Sequence, residues 1–113
     1  MKLRITLGLV VASAGMSLCM SAAAAPDADA AQTLVKESGC MMCHAIDKKK
    51  VAIAFKDVAK NHKGQADAQD KLVKHVTMKP MVEVDGTKVE HKALKSTDPA
   101  AAKNVAQWIL SLS

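Results

Sequence analysis

The sequence is poor in aromatic residues, with no tyrosine and with Phe55 and Trp108 as its only large aromatic rings. A chain of 113 residues holds one small domain at most, and a small domain usually needs additional help to build a stable core. The chain is also nearly free of arginine, since Arg4 is the only one. Nucleic-acid-binding proteins rely on arginine forks and stacking rings, so the composition argues against a nucleic-acid partner.

The first residues have the pattern of a secretion leader. Lys2 and Arg4 precede a mostly apolar stretch, and the alanines at positions 22–25 offer a cleavage site. We therefore predict that residues 1–25 are a signal peptide and that residues 26–113 form the mature domain. The apolar stretch is shorter than the roughly 20 residues of a membrane span, and no later segment is apolar enough, so we predict no span. Lipid attachment at Cys19 is an alternative.

The rest of the chain is predicted to be mostly helical. Apolar periodicity and end signals predict helices over residues 30–38, 55–61 and 66–76, the first of them ended by Gly39. The clearest helix is the last, which Thr97 or Asp98 can cap and which has Pro99 in its first turn. Its apolar stripe consists of Val105, Trp108, Ile109 and Leu112.

A β-hairpin is predicted near residues 81–91, where apolar and charged residues alternate around Asp85-Gly86. This dipeptide favours a two-residue turn between antiparallel strands. The turn would pair Val84 with Thr87, Glu83 with Lys88, Val82 with Val89 and Met81 with Glu90. Alternation then places Val82, Val84, Val89 and His91 on one face, and Met81 on the other.

The residues Cys40-Met41-Met42-Cys43-His44 form the C-x-x-C-H pattern of c-type haem attachment. The spacing lets Cys40 and Cys43 form thioethers to the two vinyl groups of one haem and brings His44 under the iron. A redox dithiol would need a βαβ setting, a zinc site would need a second paired motif, and a disulfide here would close a very small loop. We therefore predict one covalent haem c, which also supplies the bulk that the aromatic-poor core lacks.

Three segments of the chain resemble the small bacterial class I cytochromes c of the c-551/c-552 type. They are residues 39–51, 54–59 and 104–112, which read GCMMCHAIDKKKV, AFKDVA and NVAQWILSL. The resemblance implies an all-α cytochrome c fold, with about four short helices around one haem and with the first and last helices crossing. It also implies electron transfer in the periplasm.

The chain departs from that family in two places. Ala52-Ile53 stand where the family usually has Gly-Pro, whose proline carbonyl accepts the second N–H of the proximal histidine. Ile53 can offer a carbonyl too, but without the fixed φ of proline. The Pro-Met-Pro setting of the family's sixth ligand is also missing, so the sixth-ligand loop is atypical.

Three residues are candidates for the sixth iron ligand. His91 stands where the family's methionine would fall when the last helix is aligned through Thr97-Asp98, and it shares the apolar face of the predicted hairpin. Met81 is an alternative because Lys79-Pro80-Met81 keeps part of the family's motif and because a one-residue slip in strand register would exchange the two faces. Met78 and a vacant position also remain open. The other histidines, His62 and His75, are predicted to lie on exposed helix ends or faces.

A haem with both axial positions closed can change only its oxidation state, so we expect an electron carrier and not an enzyme. Two alternatives are a haem protein with an open or displaceable sixth position, which would bind a gas or catalyse a reaction, and a haem subunit of a larger oxidoreductase. Lys2 and Arg4 leave with the leader while all 11 acids stay, so the formal charge of +5 becomes +3. The remaining lysines form a solvated basic face or steer an acidic redox partner.

Overall fold

The computed structural model describes Gly15 and residues 25–113, and nearly all of the predicted leader lies outside the described residues. Four helices and one two-stranded antiparallel sheet form the domain. The elements are α1 (Ala28–Glu37), a 3-10 turn (Cys40–Met42), α2 (Phe55–Asn61), α3 (Ala68–Thr77), β1 (Met81–Val84), β2 (Thr87–Glu90) and α4 (Pro99–Leu110). The predicted combination of four short helices and a small hairpin is confirmed.

The helix ends follow from their capping residues. Helix α1 starts two residues earlier than predicted because the Asp27 side chain accepts a hydrogen bond from the Ala30 N–H at 3.0 Å. Helix α4 is capped by Asp98, whose carboxylate accepts from the Ala100 N–H at 2.9 Å, and it ends at Leu110, before Leu112. Helix α3 begins at Ala68, two residues later than predicted.

The hairpin has the predicted register, with Met81 opposite Glu90, Val82 opposite Val89, Glu83 opposite Lys88 and Val84 opposite Thr87. Its turn has positive φ angles at both central residues, 49° at Asp85 and 80° at Gly86. This is the backbone of a type I′ turn, whose twist matches that of the two strands.

Helix α4 is the centre of the fold, because it packs against α1, α2 and α3. Val35 of α1 and Val105 of α4 are the largest fully buried side chains. The two large aromatic rings meet beside them, with Trp108 in edge contact with Phe55 of α2 at 5.7 Å between ring centres. The apolar stripe predicted for the last helix is therefore the main wall of the core. Within the described residues, no helix is long and apolar enough to cross a membrane.

Asn104 joins α4 to the start of α1 by two hydrogen bonds. Its side-chain oxygen accepts from the Asp27 backbone N–H at 2.8 Å, and its side-chain nitrogen donates to the Asp27 carbonyl at 2.8 Å. The contact satisfies the Asp27 N–H, which has no partner within α1, and gives the Asp27 carbonyl a second donor beside the Ala31 N–H. The crossing of the first and last helices thus has a polar clamp beside its apolar core.

We expect Asn104→Ala to lower the free energy of unfolding by about 2 kcal/mol, since two hydrogen bonds each contribute about 1 kcal/mol. Denaturant unfolding of the haem-loaded protein would measure the loss. Lys103→Ala is the matched control, because Lys103 is the exposed neighbour on the same helix. Equal stability of the two variants would show that the clamp does not stabilise the crossing.

Candidate haem-binding site

The C-x-x-C-H residues lie on a tight turn directly after α1. Gly39 adopts a left-handed conformation with φ of 77°, which reverses the chain, and the His44 N–H donates to the Cys40 carbonyl at 3.0 Å. A Cβ at position 39 would lie 3.3 Å from the Lys92 ammonium, the mobile end of a long side chain, so the positive φ is the main reason for glycine here. The turn brings Cys40, Cys43 and His44 to the wall of one cavity.

No disulfide joins Cys40 and Cys43, so the turn is not closed by one. Burial raises the pKa of the Cys40 thiol, while its own backbone hydrogen bond and the positive charge of Lys92 oppose that shift. Among the described residues, no group of three or more His, Cys, Asp or Glu side chains is arranged to hold a metal ion, so the paired cysteines lack the further ligands of a thiolate site.

His44 is oriented by a hydrogen bond and by a stacked ring. Its Nδ1 lies 2.7 Å from the Ile53 carbonyl oxygen, and because a carbonyl can only accept, Nδ1 carries the proton. The lone pair of Nε2 is then free to bind a metal. The imidazole also stacks on Phe55, with ring centres 4.8 Å apart and planes inclined by 17°. Ile53 thus supplies the carbonyl that the family's proline usually supplies.

His91 lies across the cavity from His44. It directly follows β2, and its backbone N–H extends the hairpin ladder by donating to the Pro80 carbonyl at 2.9 Å. The ring centres of His44 and His91 are 6.3 Å apart. Two imidazole nitrogens on opposite sides of one metal ion, each about 2 Å from it, would place the ring centres about 6 Å apart. Burial lowers the pKa of His91, the charges of His75 and His44 add to the effect, and a weaker polar contact with the Lys92 backbone opposes it, so the metal-binding neutral form is favoured.

Met81 and Met78 do not face His44. Their side chains are 63% and 70% exposed, and neither residue lines the cavity. The hairpin instead turns Val82, Val84 and Val89 towards the cavity wall, as the alternation of its strands requires. Of the three sixth-ligand candidates, the structure brings only His91 together with His44.

The cavity has a volume of about 500 Å³ and mostly apolar walls, which is within the range of sites for small molecules and cofactors. All four histidines of the chain line it: His44, His62, His75 and His91. His62 lies at the C-terminal cap of α2 and His75 is exposed on α3, as predicted, but the sequence analysis did not predict that both line the cavity. The helical repeat could have predicted the position of His75 at the cavity. His75 lies three residues after Leu72, which is buried and also lines the cavity.

The cavity fits a haem bound at one edge. The paired cysteines stand at that edge, apolar walls enclose the space, and an imidazole is available on each side. Comparison with known proteins supports this fit, because the family model for cytochrome c matches residues 28–113. This chain belongs to the cytochrome c family. Its haem c is covalent, and Cys40 and Cys43 fit the C-x-x-C-H haem-binding motif of the family.

Among curated relatives, cytochrome c-552 of Hydrogenobacter thermophilus is 43% identical over 81 residues, which cover 72% of this chain and 80% of that protein. Cytochrome c-551 of Pseudomonas aeruginosa is 34% identical over 80 residues, which cover 71% of this chain and 74% of that protein. The expected kinship with c-551/c-552 cytochromes is confirmed, and these relatives identify the cytochrome as an electron carrier with haem c.

Solved structures confirm the class I cytochrome c fold. The class 1 cytochrome MtoD from Sideroxydans lithotrophicus ES-1 superposes with a TM-score of 0.74 at 43% identity, covering 78% of this chain and 98% of that one. Cytochrome c552 of Nitrosomonas europaea superposes with a TM-score of 0.60 at 27% identity, covering 73% and 99% of the two chains. The helices that surround the cavity in this cytochrome are thus those of the family.

Proposed function

We propose that this cytochrome is a periplasmic carrier that moves one electron at a time through its haem and catalyses no reaction of its own. In this proposal Cys40 and Cys43 form the thioethers, His44 is the proximal iron ligand and His91 is the sixth. The observation that carries it is the 6.3 Å separation of the two imidazole rings across the cavity. The haem supplies an iron that changes between its ferric and ferrous states.

The protein residues bind and orient the cofactor. Ile53 holds the tautomer of His44 that leaves Nε2 unprotonated, and Phe55 supports the face of its ring. A thioether ligand favours ferrous iron and raises the potential, whereas a second imidazole lacks that effect. We therefore expect a lower potential than that of relatives with a methionine ligand. With His44 and His91 as its ligands, the iron would offer no free position to a substrate.

The cysteines are tested by removing both thiols. In Cys40→Ala/Cys43→Ala, haem should no longer remain on the polypeptide in a denaturing gel, because no thioether can form. Either single variant should keep a covalent haem through its remaining cysteine, at reduced yield. Covalent haem on the double variant would contradict the assignment.

The sixth ligand is tested by His91→Ala. We expect the wild-type protein to be low-spin, to lack the weak red absorption of sulfur-ligated ferric haem and to bind carbon monoxide only slowly when reduced. Removal of the imidazole should open the position, so reduced His91→Ala should bind one equivalent of carbon monoxide rapidly.

Met81→Ala is the matched control, since Met81 lies on the opposite face of the same hairpin, and it should behave as the wild type. Upfield methionine methyl signals in the proton NMR spectrum of the reduced wild type would instead assign the ligand to a methionine. Rapid, stoichiometric carbon monoxide binding by the wild type would support the alternative function, a haem protein with a displaceable sixth position.

The rim of the cavity near the cysteines combines exposed apolar side chains with lysines. Met42, Ile53 and Val89 line the cavity and are also exposed at the surface. The Lys92 ammonium lies 3.8 Å from the Met42 sulfur, and the Lys50 ammonium donates to the Met41 carbonyl at 2.8 Å. Positive charge around an exposed cofactor edge attracts a negatively charged surface. We propose that a redox partner docks here through an acidic face.

A small anionic oxidant, ferricyanide, is a probe of this charge. At low ionic strength Lys92→Glu should slow oxidation of the reduced protein by about threefold, and added salt should reduce the difference. Lys103→Glu makes the same charge change on α4, on a residue that does not line the cavity, and should have a smaller effect. Equal slowing by both variants would show that only net charge matters.

The location in the periplasm depends on the leader. We propose that residues 1–25 direct export and are removed, which brings the chain to the compartment where relatives of this kind act. The intact mass of the purified haem protein reports the start of the chain, and a start at Pro26 is expected. A mass that includes the leader or a lipid on Cys19 would count against a free periplasmic carrier.

A further inference from the structure

The two imidazoles that face each other across the cavity are held in different ways. Nδ1 of His44 donates to the Ile53 carbonyl, whereas Nδ1 of His91 is buried and, among the described residues, has no hydrogen-bond partner. Histidines that bind metals almost always donate their second N–H to an oxygen, which fixes the plane of the ring. His91 makes no such hydrogen bond at Nδ1 among the described residues, so beside a weak polar contact with the Lys92 backbone, ring packing orients its imidazole.

The neighbouring ring of His75 provides such a contact. The ring centres of His75 and His91 are 4.4 Å apart and the planes are inclined by 61°, which is an edge-to-face arrangement. Both rings also line the main cavity and the smaller cleft beside it, which is bounded by His44 and the first strand of the hairpin.

A backbone hydrogen bond fixes the segment that carries His91 next to the helix turn that carries His75. Leu72 and Val76, on either side of His75 in α3, are buried in the core. The N–H of Leu94, three residues after His91, donates to the Val76 carbonyl at 2.9 Å. The segment that carries His91 is therefore anchored to the helix turn that carries His75, and the contact between the rings is built into the fold.

We propose that His75 is a positioning residue for the sixth ligand: its ring packs against His91 and sets the plane of an imidazole whose Nδ1 has no hydrogen-bond partner among the described residues. The inference rests on the iron ligation by His91 proposed above. It assigns to α3 a role in the haem site that the attachment motif does not reveal. His75 acts through His91 and not on the iron.

The angle between two axial imidazole planes, 59° between His44 and His91, determines the g-anisotropy of low-spin ferric haem. Loss of the His75 ring should leave His91 with a broader range of orientations. The largest g-value should then shift and its line should broaden in the electron paramagnetic resonance spectrum. A less constrained imidazole also leaves the iron more readily, so binding of carbon monoxide by the reduced protein should become about fivefold faster, the scale of one lost aromatic edge contact.

The experiment compares haem-loaded His75→Ala, His75→Phe and Lys74→Ala with the wild type. His75→Ala should show the shifted, broadened signal and the faster carbon monoxide binding. His75→Phe replaces the ring with another ring and should restore both properties. Lys74→Ala changes the exposed neighbour on the same helix and should match the wild type. If His75→Ala does not fold, His75→Asn removes the ring while keeping a polar side chain, and it serves the same comparison.

An unchanged spectrum and carbon monoxide rate in His75→Ala would overturn the proposal, as would failure of His75→Phe to restore them. Failure of the underlying ligation has a different signature. A wild-type protein with the red absorption of sulfur ligation has a methionine on the iron, and that result is visible before any His75 variant is made. A protein that is low-spin without that absorption and still insensitive to His75 refutes the positioning role alone.

Discussion

Contacts among three rings connect the core of this cytochrome to its haem site. Trp108 of α4 contacts the edge of Phe55, and Phe55 stacks on His44. The chain has no other large aromatic residue, so these two contacts use both of its large rings to connect the helix crossing to the cavity. The burial that stabilises α4 also supports the proximal histidine, so the position of His44 depends on the packing of the first and last helices.

The sequence predicted local structure correctly where a single physical rule determines it, as it does in the hairpin. Asp85-Gly86 supports positive φ at both central positions of the turn, and strand alternation then determines the register, which is why every predicted pair of the hairpin is confirmed. The predicted helix ends were less accurate, because the start of a helix depends on which side chain accepts a hydrogen bond from its unpaired N–H groups. The start of α1 is an example, since Asp27 caps it two residues before the predicted position.

The arrangement of side chains around the cavity could not be predicted from the sequence, because it depends on tertiary contacts. A sequence pattern places His91 on the apolar face of a hairpin, but the 6.3 Å between His44 and His91 depends on where the segment after the hairpin meets α3. That contact includes the backbone hydrogen bond from the Leu94 N–H to the Val76 carbonyl, which no sequence periodicity predicts. For the same reason the sequence predicted correctly that His75 is exposed on its helix but not that it lines the cavity.

The hairpin explains why the two sides of the site differ. A loop built on prolines can present a flexible thioether, whereas an extended strand holds successive side chains on opposite faces. With Val82 and Val89 facing the cavity, the methionine at position 81 is turned to the surface, and the next inward position beyond Val89 is His91. His91 follows the last paired residue of β2, and its imidazole packs against the ring of His75. The alternation of the strands thus favours a histidine over a methionine on the cavity side.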